Sequence, residues 1–435
     1  MAEQYQITGD TSARIVASIE DGIRLGFLES GSRLPPVRAL ARQLAVAPAT
    51  VAVAYRRLRE RGIVETDGRR GTRIRRRSRA HHRAATLPPG VVDLANGEPD
   101  PELLPDLTAA VRRVPTTAAN YRQAGPDPRL VALARRRLLA DGVDGTITIT
   151  GGALDGIDRT LAALLRPGDT VAIEDPCWAN LRDLVVAGGM RPVPVPVDEA
   201  GPTPDGLAAA LRGGVAAAVV TGRAHNPTGA VITAARAARL REVIAEHPET
   251  LIIEDDHWAE LSHDRLHPVA DAAHRWMFLR SVSKPYGPDL RLAVAAGDPA
   301  TVAAVEGRTR IGSGWVSTIL QHLVMALWED PHTTETLAHA RDRYRHRRTA
   351  VLDALRRHGI DATGRTGLNI WVPVADEAYT VAALRDAGYA VAPGSGYRID
   401  SPPAIRVTVA RLDPDHAEAL AAAIAAAVRP RSPLT

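Results

Sequence analysis

The segment Ser281–Leu292, SVSKPYGPDLRL, decides the fold prediction because it holds the one lysine of the chain, Lys284, among 54 Lys and Arg residues. Arginine replaces lysine wherever only a positive charge is needed. A guanidinium cannot lose its proton and attack a carbonyl group, whereas an amine can. Lys284 follows the apolar run Phe278–Leu279 and precedes Arg291. We therefore interpret Lys284 as a residue kept for its amine.

Short apolar, β-branched runs on both sides of this segment alternate with helical stretches rich in Ala, Leu and Arg. Continuous apolar strands separated by helices predict a mostly parallel sheet that is covered on both faces. The predicted strands are Thr146–Thr150, Thr170–Ile173, Val215–Val220, Leu251–Ile253, Phe278–Leu279 and Leu292–Ala295.

Chemically useful side chains follow these strands, at the edge where ligands bind in such sheets. They lie in Gly151-Gly152-Ala153, Pro176-Cys177-Trp178, His225–Gly229, Asp255-Asp256-His257 and Ser281–Lys284. An amine, a carboxylate, an amide, an aromatic ring and a bare backbone turn suit pyridoxal phosphate. Its aldehyde needs the lysine, its ring nitrogen the carboxylate and its phosphate a helix N-terminus with an arginine.

Residues 91–428 resemble the fold-type I aminotransferases. The matching motifs are LANGEPDP, YRQAG, ITITGGALDGI, EDPCW, HNPTG, IIEDD, SVSKPYGPDLRL and AIRVTVA. The resemblance implies that Lys284 forms the internal aldimine and Asp255 pairs with the ring nitrogen. It also implies that Asn226 bonds the ring hydroxyl and that Trp178 stacks on the ring.

For the cofactor phosphate, the resemblance implies a set of holding residues: Gly151, Gly152, Ser281 and Arg291. Tyr121 would reach the phosphate of a partner subunit, and Arg406 would clamp the carboxylate of a substrate or effector. Alternatives remain at this stage. Tyr121 could pack on the surface, Trp178 could be a core aromatic, and Arg406 could pair with an internal acid.

One motif departs from the family. A tyrosine usually follows the ring-binding aspartate and bonds the ring hydroxyl, but this chain has His257 and Trp258 there. We hypothesise that His257 takes that role. Asp256 is a rival to Asp255, because the sequence does not show which carboxylate faces the ring.

The N-terminal region is basic, since residues 1–80 contain 16 arginines and 8 acidic residues whereas the remainder carries a net charge of −4. Such a head favours a polyanionic partner. Its apolar residues recur at helical spacing in Ser12–Leu28, Val37–Leu44 and Val51–Leu58, and Pro48 suits a first helical position. Gly62–Glu65 and Thr72–Ile74 read as two short strands around a basic loop.

Three helices and a basic β-wing predict a winged helix-turn-helix. RLPPVRALARQLAV, TVAVAYRRLRERGIV and RRGTRI resemble the DNA-binding domain of GntR-type regulators over residues 11–75. The resemblance implies that DNA is contacted by Arg38, Thr50, Arg70 and Gly71. Ala47-Pro48-Ala49 stands where the family usually has polar residues that read bases.

The two halves together resemble the MocR-type regulators. We expect a winged helix-turn-helix in 1–75, a basic, Pro-rich linker in 76–92 and an α/β aminotransferase-like domain in 93–435 with a smaller C-terminal α+β subdomain. The resemblance implies a head-to-tail homodimer that binds double-stranded DNA and senses pyridoxal phosphate, an amino acid or an amine. The alternative is a working aminotransferase with an accessory DNA-binding head.

The remaining features concern the compartment. MAEQYQITGD has neither the basic start nor the apolar core of a secretory signal, and no apolar stretch reaches the roughly 18 residues of a membrane span. The single cysteine, Cys177, excludes an intramolecular disulfide and a multi-Cys metal site. We expect a cytoplasmic protein without a metal.

Overall fold

A computed structural model of the chain describes residues 5–24, 27–28, 31–60, 63–67, 71–74, 87–88, 90–115, 121 and 125–428. The predicted DNA contact Arg70 and most of the predicted linker lie outside the described residues.

The N-terminal unit is a winged helix-turn-helix, as predicted. Its elements are α1 (Ser12–Arg24), α2 (Val37–Gln43), α3 (Pro48–Glu60), β1 (Val64–Asp67) and β2 (Gly71–Ile74). The first helix ends at Arg24, before the predicted Leu28. The helices meet over fully buried aliphatic side chains, among them Ile15, Ile19, Leu40, Val51 and Leu58.

The wing is an antiparallel hairpin in which Val64 pairs with Ile74 and Asp67 with Gly71. Arg33 forms an isolated bridge to Arg73, so the chain before α2 adds a third strand-like segment to the wing. Gly71 has a φ of +82°, a conformation that glycine adopts without a steric penalty.

The turn between α2 and α3 contains backbone strain. Ala45 has a φ of +53°, and the amide of Val46 donates to the carbonyl of Ala41 at 3.0 Å. The left-handed region costs a non-glycine residue about 1–2 kcal/mol.

We expect Ala45→Gly to stabilise the N-terminal unit by about 0.5–1 kcal/mol, since glycine relieves the strain but loses about 0.5–1 kcal/mol of backbone entropy. Hydrogen exchange of the Leu40 and Leu58 amides in the full-length protein measures the change. Ala41→Gly, inside α2, is the control and should lower the protection. Equal protection in Ala45→Gly and the wild type would contradict the strain.

The second unit begins with a short strand and contains helices and strands in alternation. Its elements up to the lysine segment are β3 (Val92–Leu94), α4 (Leu107–Arg112), α5 (Pro128–Ala140), β4 (Thr146–Thr150), α6 (Ala153–Leu164), β5 (Thr170–Asp175), α7 (Ala179–Ala187), β6 (Arg191–Asp198), β7 (Gly201–Pro202), α8 (Pro204–Arg212), β8 (Ala217–Thr221), α9 (Ala234–Ala245), β9 (Leu251–Asp256), β10 (Trp276–Ser281) and α10 (Ser283–Tyr286).

The elements after the lysine segment are β11 (Ala293–Gly297), α11 (Pro299–Arg310), α12 (Thr318–Trp328), α13 (Pro331–Arg357), β12 (Asn369–Pro373), α14 (Glu377–Asp386), β13 (Tyr389–Pro393), β14 (Ala404–Thr408) and α15 (Ala417–Val428).

The large sheet has the order β4-β11-β10-β9-β8-β5-β6-β7. Strands β5, β8, β9 and β10 pair in parallel, whereas β11 runs antiparallel to both β10 and β4. The mostly parallel sheet is therefore confirmed. The antiparallel β11 follows from its connection to β10, which is too short for a parallel crossover.

A smaller sheet of order β12-β14-β13-β3 forms the predicted C-terminal α+β subdomain. Its core contains Val351, Ile370, Ile405, Val407 and Leu420, all fully buried. Strand β3 reaches this sheet from the start of the unit and pairs in parallel with β13.

In the described part of the chain, no single helix has the length and apolar composition of a membrane span. By those two measures alone, α2 and α3 qualify together as a bent pair.

Candidate functional site

Lys284 lies in α10, directly after β10, and its side chain is half-buried. Its Nζ donates a hydrogen bond to the carbonyl oxygen of Gly97. Burial and the nearby Arg406 guanidinium lower the pKa of Lys284 to about 8, against the opposing charge of Glu98. A larger fraction of this amine than of an exposed lysine is therefore neutral, and nucleophilic, near neutral pH.

Asp255 is the buried carboxylate at the end of the neighbouring strand β9, with 5% of its surface exposed. Its Oδ2 lies 2.9 Å from Nδ1 of His257. Its Oδ1 is buried and has no hydrogen-bond partner among the described residues. A buried, unpaired carboxylate oxygen is costly, so the site calls for a donor that the chain does not supply.

Asp256 belongs to a separate network. It accepts from Nε of Arg223 at 2.9 Å and Nη2 of Arg223 at 2.6 Å, and from Nε of Arg280 at 3.0 Å. Burial opposes ionisation of Asp256, but the two guanidinium groups outweigh it and lower its pKa to about 2. Successive strand residues point to opposite faces, so Asp256 is committed to these arginines while Asp255 points the other way.

Asn226 follows β8 and lies beside Arg406 of β14. Its Oδ1 accepts from Nη1 of Arg406 at 3.1 Å and from Nδ2 of Asn369 at 3.4 Å. The two contacts occupy the amide oxygen and leave the amide NH₂ of Asn226 as the group that can donate to a ligand.

Arg406 is buried, and its neighbours come from distant parts of the chain. Nη2 donates to the carbonyl of Ala95, and the guanidinium carbon lies 4.7 Å from the ring centroid of Tyr397. Burial lowers the pKa of Arg406, partly offset by Tyr397 and Asp93. No carboxylate of the described residues forms an ion pair with Arg406. The structure therefore does not support the alternative that Arg406 pairs with an internal acid.

The turn after β4 has the form of an anion cradle. Gly152 has a φ of +113° and a ψ of 165°, and a Cβ there would lie 2.6 Å from Nη2 of Arg291. Arg291 also donates from Nη1 to Oγ of Ser283 at 3.0 Å. The glycine therefore lets the guanidinium approach the backbone at the N-terminus of α6, where anions bind.

The other predicted phosphate residues lie at the same strand ends. Gly151 donates its amide to Oδ2 of Asp155 at 2.8 Å, and that carboxylate also pairs with Arg159. Ser281 is buried, and its Oγ accepts the amide of Ser283 at 3.2 Å.

Trp178 is half-buried and follows the end of β5. The segment that carries it is held from the smaller subdomain, because Cys177 donates its amide to the carbonyl of Tyr397 at 2.7 Å. Asp175 accepts three backbone amides at 2.8 Å from residues 399–401. The position of Trp178 therefore depends on both sheets.

Tyr121 is 89% exposed, and its ring meets Trp315 edge-on at 5.7 Å. Trp315 lines a cavity of about 270 Å³ that also touches Gly151 and Arg291. Such an exposed tyrosine contributes nothing to the core of its own chain.

In the N-terminal unit, the predicted DNA contacts lie on and beside the helix-turn-helix. Arg38 is exposed on α2 and borders a cavity of about 430 Å³ that reaches Pro48, while Thr50 lies in the first turn of α3. Gly71 begins β2 at the exposed end of the wing. In winged helix-turn-helix domains the second helix of the motif, here α3, enters the major groove, and the wing lies along the DNA backbone.

The exposed face of α3 is strongly basic and its tip is apolar. Arg56, Arg57 and Arg59 are exposed, as are Pro48 and Ala49. This arrangement suits phosphate contacts more than hydrogen bonds to base edges.

Several residues of the site went unrecognised in the sequence. Ser283 had a local signal, since it stands beside Lys284 in the quoted segment. Gly97 lies in the motif LANGEPDP, but the sequence does not show that it contacts Lys284. Asn369 and Tyr397 had no local signal, because their contacts with Asn226 and Arg406 join segments far apart in the chain.

The geometry of the site residues fits pyridoxal phosphate. The unpaired Oδ1 of Asp255 matches a protonated ring nitrogen, and the turn at Gly152 with Arg291 matches a phosphate. Lys284 would hold the aldehyde and Asn226 would donate to the ring hydroxyl. When bound, the cofactor supplies an electron sink for chemistry at an attached amine.

Two family models match the chain. Residues 11–74 match "Bacterial regulatory proteins, gntR family", and residues 89–424 match "Aminotransferase class I and II".

Two regulators are similar over most of their length. The vitamin B6 salvage pathway transcriptional repressor PtsJ of Salmonella typhimurium is 40% identical over 96% of this chain and 98% of its own. The pyridoxine biosynthesis transcriptional regulator PdxR of Corynebacterium glutamicum is 27% identical over 76% of this chain and 75% of its own.

Among solved structures, a multiple substrate aminotransferase from Thermococcus profundus covers 78% of this chain and 92% of its own with a TM-score of 0.70. At 20% identity that likeness shows the fold. Pyridoxal phosphate is the cofactor of this domain. With a GntR domain and a class I and II aminotransferase domain in one chain, and with PtsJ and PdxR as relatives, the protein belongs to the MocR-type transcriptional regulators.

Proposed function

We propose that this DNA-binding regulator senses pyridoxal phosphate through covalent attachment to Lys284, and that the loaded and empty forms bind DNA with different affinities. The observation that carries the proposal is a buried carboxylate oxygen of Asp255 that has no donor among the described residues, at the strand end next to Lys284. A ligand shifts an equilibrium only by binding its two states differently, so loading must favour one arrangement of the DNA-binding units.

The genes it controls are proposed to concern the supply of the cofactor itself. The relative with 40% identity is named as a repressor of the vitamin B6 salvage pathway. We place the protein in the cytoplasm, where it meets both DNA and free cofactor.

We infer a head-to-tail homodimer in which Tyr121 reaches the phosphate of the partner subunit. The 89% exposure of Tyr121 supports this, as does the exposure of Ile311 and Ile319. A two-fold dimer presents two DNA-binding units to two half-sites. We propose that the DNA-binding domain spans 1–75, the linker 76–92 and the aminotransferase-like domain 93–435. The proposed DNA contacts are Arg38, Thr50, Arg70 and Gly71.

An amino acid or amine effector is a further proposal, with Arg406 as the carboxylate clamp. Both terminal nitrogens of Arg406 already donate, one to Asn226 and one to Ala95. The guanidinium has five N–H donors, and its buried Nε has no hydrogen-bond partner among the described residues, so donors are left for an effector carboxylate. A buried donor without a partner is costly, so Nε of Arg406 supports a carboxylate effector in addition to the cofactor.

The test is binding of the full-length protein to its own promoter fragment, followed by fluorescence anisotropy with and without pyridoxal phosphate. We expect a change of about 5- to 150-fold in affinity, the usual range of allosteric coupling. Arg38→Ala should weaken DNA binding in both states and reduce the salt slope by about 0.9, while the visible spectrum of the bound cofactor stays the same. Identical affinity with and without the cofactor would refute sensing.

A working aminotransferase is the second candidate, because Lys284, Asp255 and Arg406 are all retained. Incubation with amino acids and an oxo-acid acceptor distinguishes the two. Sustained turnover together with weak, non-specific DNA binding would favour the enzyme.

A further inference from the structure

We propose that His257 is a positioning residue for Asp255, and that it holds Oδ2 of Asp255 so that Oδ1 alone faces the ring nitrogen of the cofactor. This deepens the proposed function, since it concerns the cofactor site on which that function rests. It also replaces the hypothesis that His257 bonds the ring hydroxyl in place of a tyrosine.

The geometry around the carboxylate carries the inference. Nδ1 of His257 lies 2.9 Å from Oδ2 of Asp255, and both side chains are largely buried, at 18% and 7% exposure. Oδ1 is buried without a partner among the described residues. One oxygen is thus held from the protein and the other is left for a ligand.

The backbone around Asp255 is fixed, which allows its two carboxylate oxygens to have different partners. Asp255 pairs with Leu279 of β10 and with Thr221 of β8, and its carbonyl accepts the amide of Gly222 at 2.9 Å. The main chain is therefore fixed on both sides. What remains free is rotation of the carboxylate, and the contact with His257 removes that freedom.

The tautomer of His257 follows from the same contact. Asp255 only accepts when ionised, so Nδ1 of His257 is the nitrogen that carries the proton. In the neutral imidazole Nε2 is then an acceptor, which cannot donate to the ring hydroxyl oxygen as a tyrosine does. Asn226 is left as the donor to that oxygen, through the amide NH₂ that its contacts with Arg406 and Asn369 leave free.

Three variants of the full-length protein test the role. His257→Phe keeps a planar ring but removes the donor. His257→Asn retains an N–H donor on a shorter side chain. His263→Phe is the matched control, because His263 also pairs with an aspartate, Asp342 at 3.0 Å, outside the site.

The measurement is the ¹⁵N chemical shift of pyridoxal phosphate labelled at its ring nitrogen, recorded in the bound state, together with the dissociation constant from spectral titration. We expect a protonated ring nitrogen in the wild type, His257→Asn and His263→Phe. In His257→Phe we expect a shift toward the neutral form and about tenfold weaker binding, the loss of one charge-assisted hydrogen bond.

The outcomes separate the proposals. A His257→Phe protein that is folded by circular dichroism and keeps the wild-type shift and affinity would overturn the positioning role alone. Loss of ring protonation in His257→Asn as well as His257→Phe would also overturn it, because the donor would then not be what matters. A wild-type protein that binds no cofactor would overturn both this role and the proposed function.

Discussion

Lys284→Ala abolishes covalent capture of pyridoxal phosphate, and borohydride reduction of the loaded variant labels no side chain. The reason is that Lys284 is the only lysine among 54 Lys and Arg residues, so the variant has no other side-chain amine that can form a Schiff base. The other primary amine is the N-terminal α-amino group, which peptide mapping separates from the lysine-bearing peptide. The measurement is mass spectrometry after reduction, with the visible spectrum recorded beforehand.

Lys284→Arg is the matched control for this prediction. It keeps a positive charge and a long side chain, but its guanidinium cannot become a nucleophile. Both variants should lose the label. If either one still changes its DNA affinity on addition of pyridoxal phosphate as the wild type does, covalent attachment plays no part in signalling.

The same lysine predicts a pH dependence for attachment. Its pKa is lowered to about 8, chiefly by burial. Only the neutral amine attacks the aldehyde, so the attachment rate rises as the pH approaches 8 and levels off above it. Stopped-flow absorbance across this range tests the sign, and a rate that falls over the same interval would contradict it.

The positions of the strands were predictable because buried strands read as short apolar or β-branched runs. Thr146–Thr150 has the predicted bounds, and the run Leu251–Ile253 extends to Asp256 in the structure. The extension matters because it includes both candidate carboxylates in β9.

The choice between Asp255 and Asp256 was not predictable. Adjacent strand residues face opposite sides, but the sequence does not show which side faces the site. The structure distinguishes them through Arg223 and Arg280, which engage Asp256. These arginines come from other segments of the chain, so no local sequence pattern predicts their contacts with Asp256.

The contacts of Arg406 were also not predictable from the sequence. The sequence indicates a strand with an arginine in it, but the neighbours of its guanidinium come from Ala95, Asn226 and Tyr397. Only tertiary structure brings these together, and they determine whether an effector carboxylate finds free donors.

Gly152→Ala should destabilise the aminotransferase-like domain by about 1–3 kcal/mol, because its φ of +113° and ψ of 165° lie in a region that is essentially restricted to glycine. It should also weaken pyridoxal phosphate binding by about 10- to 100-fold. The added Cβ would lie 2.6 Å from Nη2 of Arg291, so the guanidinium has to move away from the turn and loses a charge-assisted contact with the phosphate.

Gly168→Ala separates the two effects. Gly168 has a φ of +100°, and a Cβ there meets no atom within 4 Å. This variant should lose stability through backbone strain and keep the cofactor affinity of the wild type. Thermal unfolding without cofactor and spectral titration with it give the two quantities for each variant. If Gly152→Ala binds the cofactor as tightly as Gly168→Ala does, the approach of Arg291 to this turn does not form the phosphate cradle, and the anion must be held elsewhere at the strand ends.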